Sequence, residues 1–328
     1  MRIGVQCSSW GTPCGIFTYS DRLVDAFNKK KGVECKAFID EKFDLSEKDL
    51  KRIFGWIPDV ILIQYEPGLF AQNPQGILMS YSQRFTKPLL YVTVHHTNGL
   101  INMMGGHFDG FILHSESQKV PLKAQLDDKT QDVLWGSYRM IPHPALVYKK
   151  LDKKKIRKEL GLPLDKKILG TAGFIFGTGK RLPIMVDTIL RNIKDDEFLY
   201  LITSFWKGGD MGREEQIRNI VKELGKENNF RMDTNFLSSE EFNKKLQACD
   251  LLFSWNVTDG KTYGSNSGVA MDEISSYTKT IVKDVPHYDT ALRIEGVLSA
   301  RGNPTSFAED VLNALRNEDL TQVPNPNK

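Results

Sequence analysis

Residues 168–181 read ILGTAGFIFGTGKR: an apolar run, a glycine-rich turn, then Lys180 and Arg181 heading an amphipathic segment. That order is a buried strand, a loop and a helix. The unit repeats on both sides. Downstream come helix 181–193, strand EFLYLITSF (197–205), helix 213–225, a short strand at 230–232 and a helix from Ser238, where Ser238 and Glu241 fit a capping box. DLLFSW (250–255), a helix after SNSG, TIVKD (280–284) and helix 305–317 complete the series. Upstream, RIGVQC (2–7), VECKAFI (33–39), DVILIQY (59–65), PLLYVTVHH (88–96) and GFILHS (110–115) are apolar strand runs. Among them lie helices at 18–32 and 45–56. Continuous apolar strands separated by helices predict parallel sheets covered on both faces, an α/β class.

The 328 residues suit two domains. Lysine-rich 145–167, with a short helix and a Gly-Leu-Pro stop, is the expected link. The expected domains are 1–148 and 149–318, with a loose tail at 319–328. Two such domains facing each other are expected to leave a cleft at the carboxyl ends of their strands.

Net charge is +3, from 44 Lys and Arg against 41 Asp and Glu, which argues against nucleic acid as the main partner. Cys7, Cys14, Cys35 and Cys249 are scattered without a CxxC pair, as expected for reduced thiols in the cytoplasm. No apolar stretch approaches 18 residues, and no signal-peptide run opens the chain. Basic clusters at 28–31 and 149–158 fit solvated helix faces and permit peripheral contact with an anionic membrane.

Three turns carry candidate chemistry. In SSWGTPCGIFTYS (8–20), Gly11 and Gly15 lie between a strand and its helix, where backbone can approach an anion. A plain βα turn is the alternative, and GxGxxG is absent. In GTAGFIFGTGKR (170–181), Lys180 and Arg181 sit at a helix start and suit a diphosphate. GxxxxGK[ST] is not met, and a helix that happens to begin with basic residues is the alternative. In SNSGVAMDE (265–273), Ser265 or Ser267 can cap a helix and meet a phosphate. Asn266 and Gly268 complete that turn. Glu273 lies one to two turns inside, where a carboxylate needs donors; a ribose diol supplies two, and a capped or salt-bridged helix acid is the alternative. His95 and His96 end a strand, as general-acid, substrate-binding or structural histidines. His143 is expected to stabilise a turn, and His114 and His287 to be structural. No histidine trio has ligand spacing and there is no DxD pair, so no metal is expected.

The element order resembles a GT-B-fold glycosyltransferase, two Rossmann-like domains, of the group that includes retaining family-4 enzymes. The resemblance spans nearly the whole chain. It is carried by GIFTYSDRLVDAF, DVILIQYEPGLF, VTVHHT, MIPHPA, FLSSEEFNKKLQACDLLFSW and TKTIVKDVPHYDTA. The group's paired glutamates, with seven residues between them, overlie SNSGVAMDE without a gap. Glu273 takes the second glutamate and Gly268 the internal glycine, while Ser265 replaces the first. Lys180 takes the phosphate lysine, and Phe174 or a neighbour stands where an arginine is common. The resemblance implies a metal-independent, retaining transferase with no cofactor, using a UDP- or GDP-linked sugar as donor. The first domain would take a glycan, lipid, protein or small-molecule acceptor near Glu66, His95 and His96. The second would hold the donor at Lys180, Arg181 and 265–268, with Gly15 on the diphosphate and Glu273 on the ribose. A sugar-nucleotide epimerase and an inactive transferase-like binding subunit are the other readings, the latter motivated by Ser265.

Overall fold

The computed structural model describes residues 1–7, 14–40, 45–66, 88–97, 108–119, 121, 138–175, 181–204, 211–256, 267–317 and 324. The described residues form two compact units, divided between His143 and Pro144.

The first unit contains β1 (Arg2–Gln6), α1 (Gly15–Asn28), β2 (Glu34–Phe38), α2 (Glu47–Phe54), β3 (Val60–Tyr65), β4 (Leu89–Val94), β5 (Gly110–Leu113) and β6 (Tyr138–Met140). Its sheet has the order β2-β1-β3-β4-β5-β6, every pair parallel. Val5, Ile61, Ile63, Tyr65, Val92 and Val94 have no exposed surface, as central strands covered on both faces require. α2 is set by local chemistry. The Ser46 hydroxyl accepts from the Asp49 amide, the Asp49 carboxylate accepts from the Ser46 amide, and left-handed Gly55 ends the helix. The strand order reverses at β1 and β3. In a doubly wound sheet, ligands bind beyond the strand ends at such a reversal.

The second unit contains α3 (Lys153–Leu160), β7 (Lys167–Phe174), α4 (Leu182–Asn192), β8 (Glu197–Ser204), α5 (Met211–Glu223), β9 (Phe230–Asp233), α6 (Ser239–Gln247), β10 (Leu251–Ser254), α7 (Gly268–Ser275), β11 (Lys279–Lys283), α8 (Asp289–Leu292), β12 (Leu298–Ala300) and α9 (Pro304–Arg316). The sheet order is β12-β11-β10-β7-β8-β9, all parallel, with its reversal at β7 and β10. One face packs on α4, α5 and α9 through Leu169, Met185, Ile189, Ile217, Phe253 and Phe307. The other packs on α6 through Ala172, Tyr200, Leu246 and Leu252. Each fully buried aliphatic or aromatic side chain stabilises by about 1.5–3 kcal/mol, so these two layers hold the strand ends rigid. α3 is the helix of the lysine-rich link. Asp152 caps it, and Arg157 binds Asp250 at 2.6 Å and the Ala248 carbonyl at 2.8 Å, tying it to the start of β10.

The structure departs from expectation at two strands and one helix start. Three-residue β6 and β12 were not expected. Both are edge strands whose identity comes from pairing to β5 and β11 rather than from apolar runs. α1 begins at Gly15 rather than at Thr18.

Candidate functional site

The reversal in the second sheet brings together the ends of β7 and β10. Beyond β10 the chain returns through α7. Its first residue is Gly268, and Ser267 is the cap whose hydroxyl accepts from the Ala270 amide at 3.2 Å. The Ser267 amide donates to the His287 carbonyl at 3.2 Å, which fixes the turn. Ala270, Met271 and Ile274 bury against Val282, Val285 and Tyr288. Glu273 lies on this same side, three residues from Ala270. It has no exposed surface, and its Oε2 accepts from the Ser254 hydroxyl at 2.7 Å. Burial, and after it the Glu273 charge, pushes the Tyr288 phenol well above its usual pKa, and Tyr288 is hydrogen-bonded to Ser254. The end of β10, the middle of α7 and the turn after β11 therefore share one buried polar cluster. A carboxylate has about four acceptor positions, and the Ser254 hydroxyl takes one of them.

Arg181 caps α4 in a left-handed conformation at φ 46°, with no side-chain cap, and is exposed. Lys180, Ser265 and Asn266 lie outside the described residues, so the expected diphosphate cradle is described only at Arg181, Ser267 and Gly268.

In the first unit Gly15 opens α1. Cys14 supplies no side-chain cap, and a Cβ at Gly15 would meet nothing within 4 Å.

His95 follows β4 and extends its ladder, its amide donating to the Tyr65 carbonyl at 2.9 Å. Its Nε2 stands 2.9 Å from Gln64 Oε1. An amide oxygen accepts only, so Nε2 carries the proton and Nδ1 is the acceptor in the neutral ring. The ring meets Tyr19 edge-on at 4.9 Å and His114 at 5.5 Å. Tyr19 also meets His114 at 5.4 Å and His143 at 5.2 Å, and His114 meets His143 at 5.0 Å. Burial first, then His114 and His143, holds the His95 pKa well below 6.5. His95 is therefore a neutral donor and acceptor near neutral pH. His96 is half-buried, and burial lowers its pKa as well. Glu66 is half-buried directly after β3.

Sequence reading missed this cluster. His114 and His143 were expected to act apart from His95, yet they join it. Their common signal is that all three follow adjacent parallel strands β4, β5 and β6, which brings such ends together. Ser254, the partner of Glu273, was also missed. Its signal was a polar residue at the end of the apolar run LLF in DLLFSW.

Among the described residues, no group of three or more His, Cys, Asp or Glu side chains is placed to hold a metal ion. Among them, no helix is long and apolar enough to cross a membrane.

No family model and no curated protein matches the sequence. Solved structures do. A sucrose-phosphate synthase from Thermosynechococcus elongatus superposes with a TM-score of 0.70 at 13% identity, covering 98% of this chain and 92% of that one. Anabaena HepE in complex with UDP and glucose gives 0.68 at 13% identity, with coverage of 98% and 92%. An Escherichia coli trehalose-6-phosphate protein bound with UDP-2-fluoro glucose gives 0.63 at 11% identity, with coverage of 98% and 93%. With two six-stranded parallel sheets, the second wound in the Rossmann order, this chain has the fold of the GT-B glycosyltransferases.

Proposed function

We propose that the protein is a glycosyltransferase that moves a sugar from a nucleoside-diphosphate donor to an acceptor. The observation that carries this reading is Glu273, buried inside α7 and held by Ser254, at the strand reversal of the second unit. The solved structures of the same fold that hold UDP or a UDP-sugar support it.

In this reading the donor ribose bonds to Glu273. The diphosphate bonds to the start of α7 and to the cations Lys180 and Arg181. The negative charge that builds on the leaving diphosphate is stabilised by helix-start dipoles and fixed cations, so the reaction needs no metal and no cofactor. His95, kept neutral by its surroundings, orients a sugar hydroxyl through hydrogen bonds rather than delivering a proton. Glu66 and His96 border the acceptor position. Retention of anomeric configuration follows from the resemblance. UDP is favoured over GDP by the ligands of the related structures.

Incubation with labelled UDP- and GDP-sugars and a broad acceptor panel tests this. Release of nucleoside diphosphate together with labelled product supports transfer. Sugar isomerised without acceptor indicates an epimerase. Binding without turnover indicates a transferase-like binding subunit, the reading favoured by Ser265 in place of glutamate.

A further inference from the structure

Trp255 and Lys283 take no part in the polar cluster of Glu273. Trp255 directly follows β10 and Lys283 ends β11, in a register that pairs Ser254 with Val282. The Lys283 ammonium stands 3.7 Å from the centroid of the Trp255 ring. The ring in turn meets Phe307 edge-on at 5.1 Å.

Two features of this pair point to a ligand. Trp255 is 4% exposed, and its indole Nε1–H is buried with no hydrogen-bond partner. A buried donor without an acceptor is rare and costly in a native protein. Lys283 is only half-exposed, burial pushes its pKa down, and no carboxylate pairs with it among the described residues. The adjacent Asp284 is held by Arg301 at 2.5 Å. A cation lying on an indole face keeps its N–H donors for an anion.

Position narrows the ligand. β10 is one of the two reversal strands, so the pair sits at the end of the sheet where ligands bind. By alternation Lys283 shares the face of Ile281, and Trp255 that of Phe253, the layer on which α4 and α9 pack. α4 begins at exposed Arg181 in that same layer.

We propose that Lys283 and the Trp255 indole N–H form a phosphoryl-binding subsite at the carboxyl edge of the second sheet. The phosphoryl group belongs to the donor diphosphate or to a phosphorylated sugar. The subsite rests on the nucleotide-sugar reading only for that choice.

Titration calorimetry on the full chain tests it with UDP, inorganic pyrophosphate, glucose 6-phosphate and, as a control without phosphate, uridine. Lys283→Met is expected to weaken the phosphorylated ligands at least tenfold and to leave uridine unchanged, while Lys283→Arg keeps most of the affinity. Trp255→Phe, which retains a ring and loses the N–H, is expected to weaken them about threefold or more. It decides the matter if Lys283→Met fails to fold. Loss confined to UDP and pyrophosphate assigns the subsite to the donor, and loss confined to glucose 6-phosphate assigns it to a sugar phosphate. If wild-type protein binds no nucleotide yet loses pyrophosphate or glucose 6-phosphate on Lys283→Met, the nucleotide-sugar reading fails and the subsite stands. Equal affinity of wild type, Lys283→Met and Trp255→Phe for every phosphorylated ligand overturns the subsite, as does wild-type protein that binds none of them.

Discussion

The Ser254 hydroxyl donates to Glu273 Oε2 at 2.7 Å, joining the last residue of β10 to the middle of α7 in a place without solvent. A hydrogen bond to a charged group contributes about 1.5–3 kcal/mol. Ser254→Ala is therefore expected to lower unfolding free energy by about that amount in urea titrations. Glu273→Gln keeps the volume and is expected to weaken donor binding at least tenfold with a smaller loss of stability. Unchanged donor affinity in Glu273→Gln would remove the ribose assignment.

Arg181 stands at the head of α4, and Lys180 precedes it in the sequence; a cation at a helix start opposes the helix dipole unless an anion is bound. Lys180→Ala is expected to reduce UDP affinity by about 10- to 100-fold, the equivalent of one or two charge-assisted hydrogen bonds of about 1.5 kcal/mol each. Uridine, which lacks the diphosphate, is expected to bind the variant and the wild type alike. Calorimetric titration of both ligands distinguishes a phosphate contact from general damage to the site.

Acid should unfold the first unit through its histidines. Burial depresses the pKa of His95, His96 and His114 in the folded state, with His114 and His143 adding to the effect on His95. The unfolded chain therefore binds protons first, below about pH 6.5. Stability is full above that value and falls as pH drops toward the folded pKa values. The slope is about 1.4 kcal/mol per pH unit for each histidine protonated on unfolding. Urea midpoints at pH 7.5 and 5.5 measure it, and His114→Phe is expected to flatten the curve.

Gly170 lies in β7 against the end of α6. A Cβ there would stand 2.5 Å from Cys249 Sγ and 2.9 Å from Leu252 Cδ2. Gly170→Ala is expected to cost about 1–3 kcal/mol by overpacking. Adding Cys249→Ala should recover part of that loss, which a double-mutant cycle in urea detects.

Much of the fold was legible in the sequence because a parallel sheet covered on both faces leaves an unmistakable mark. DVILIQY and EFLYLITSF carry the continuous apolar runs VILI and FLYLI, and amphipathic segments mark the helices. Ser238 with Glu241, and the turn ending at Ser267, announced their helices through side-chain chemistry that acts within three residues. What escaped notice was non-local. β12 reads LSA and is a strand only because β11 pairs with it. Trp255 meets Lys283, and His95 meets His114, through strand order rather than spacing. Ser254 gave no hint of its partner, because the bond to Glu273 depends on how α7 returns over β10.

The central claim is that the second unit binds a sugar-carrying nucleoside diphosphate. A melting-temperature panel of UDP, GDP and ADP and their sugars tests it most directly. Ligand at a hundred times its dissociation constant stabilises the native state by about 2.7 kcal/mol, a rise of several degrees. The expected result is such a rise with a UDP- or GDP-sugar, reduced in Lys180→Ala and in Glu273→Gln. No rise with any nucleotide or nucleotide sugar at millimolar concentration would contradict the claim.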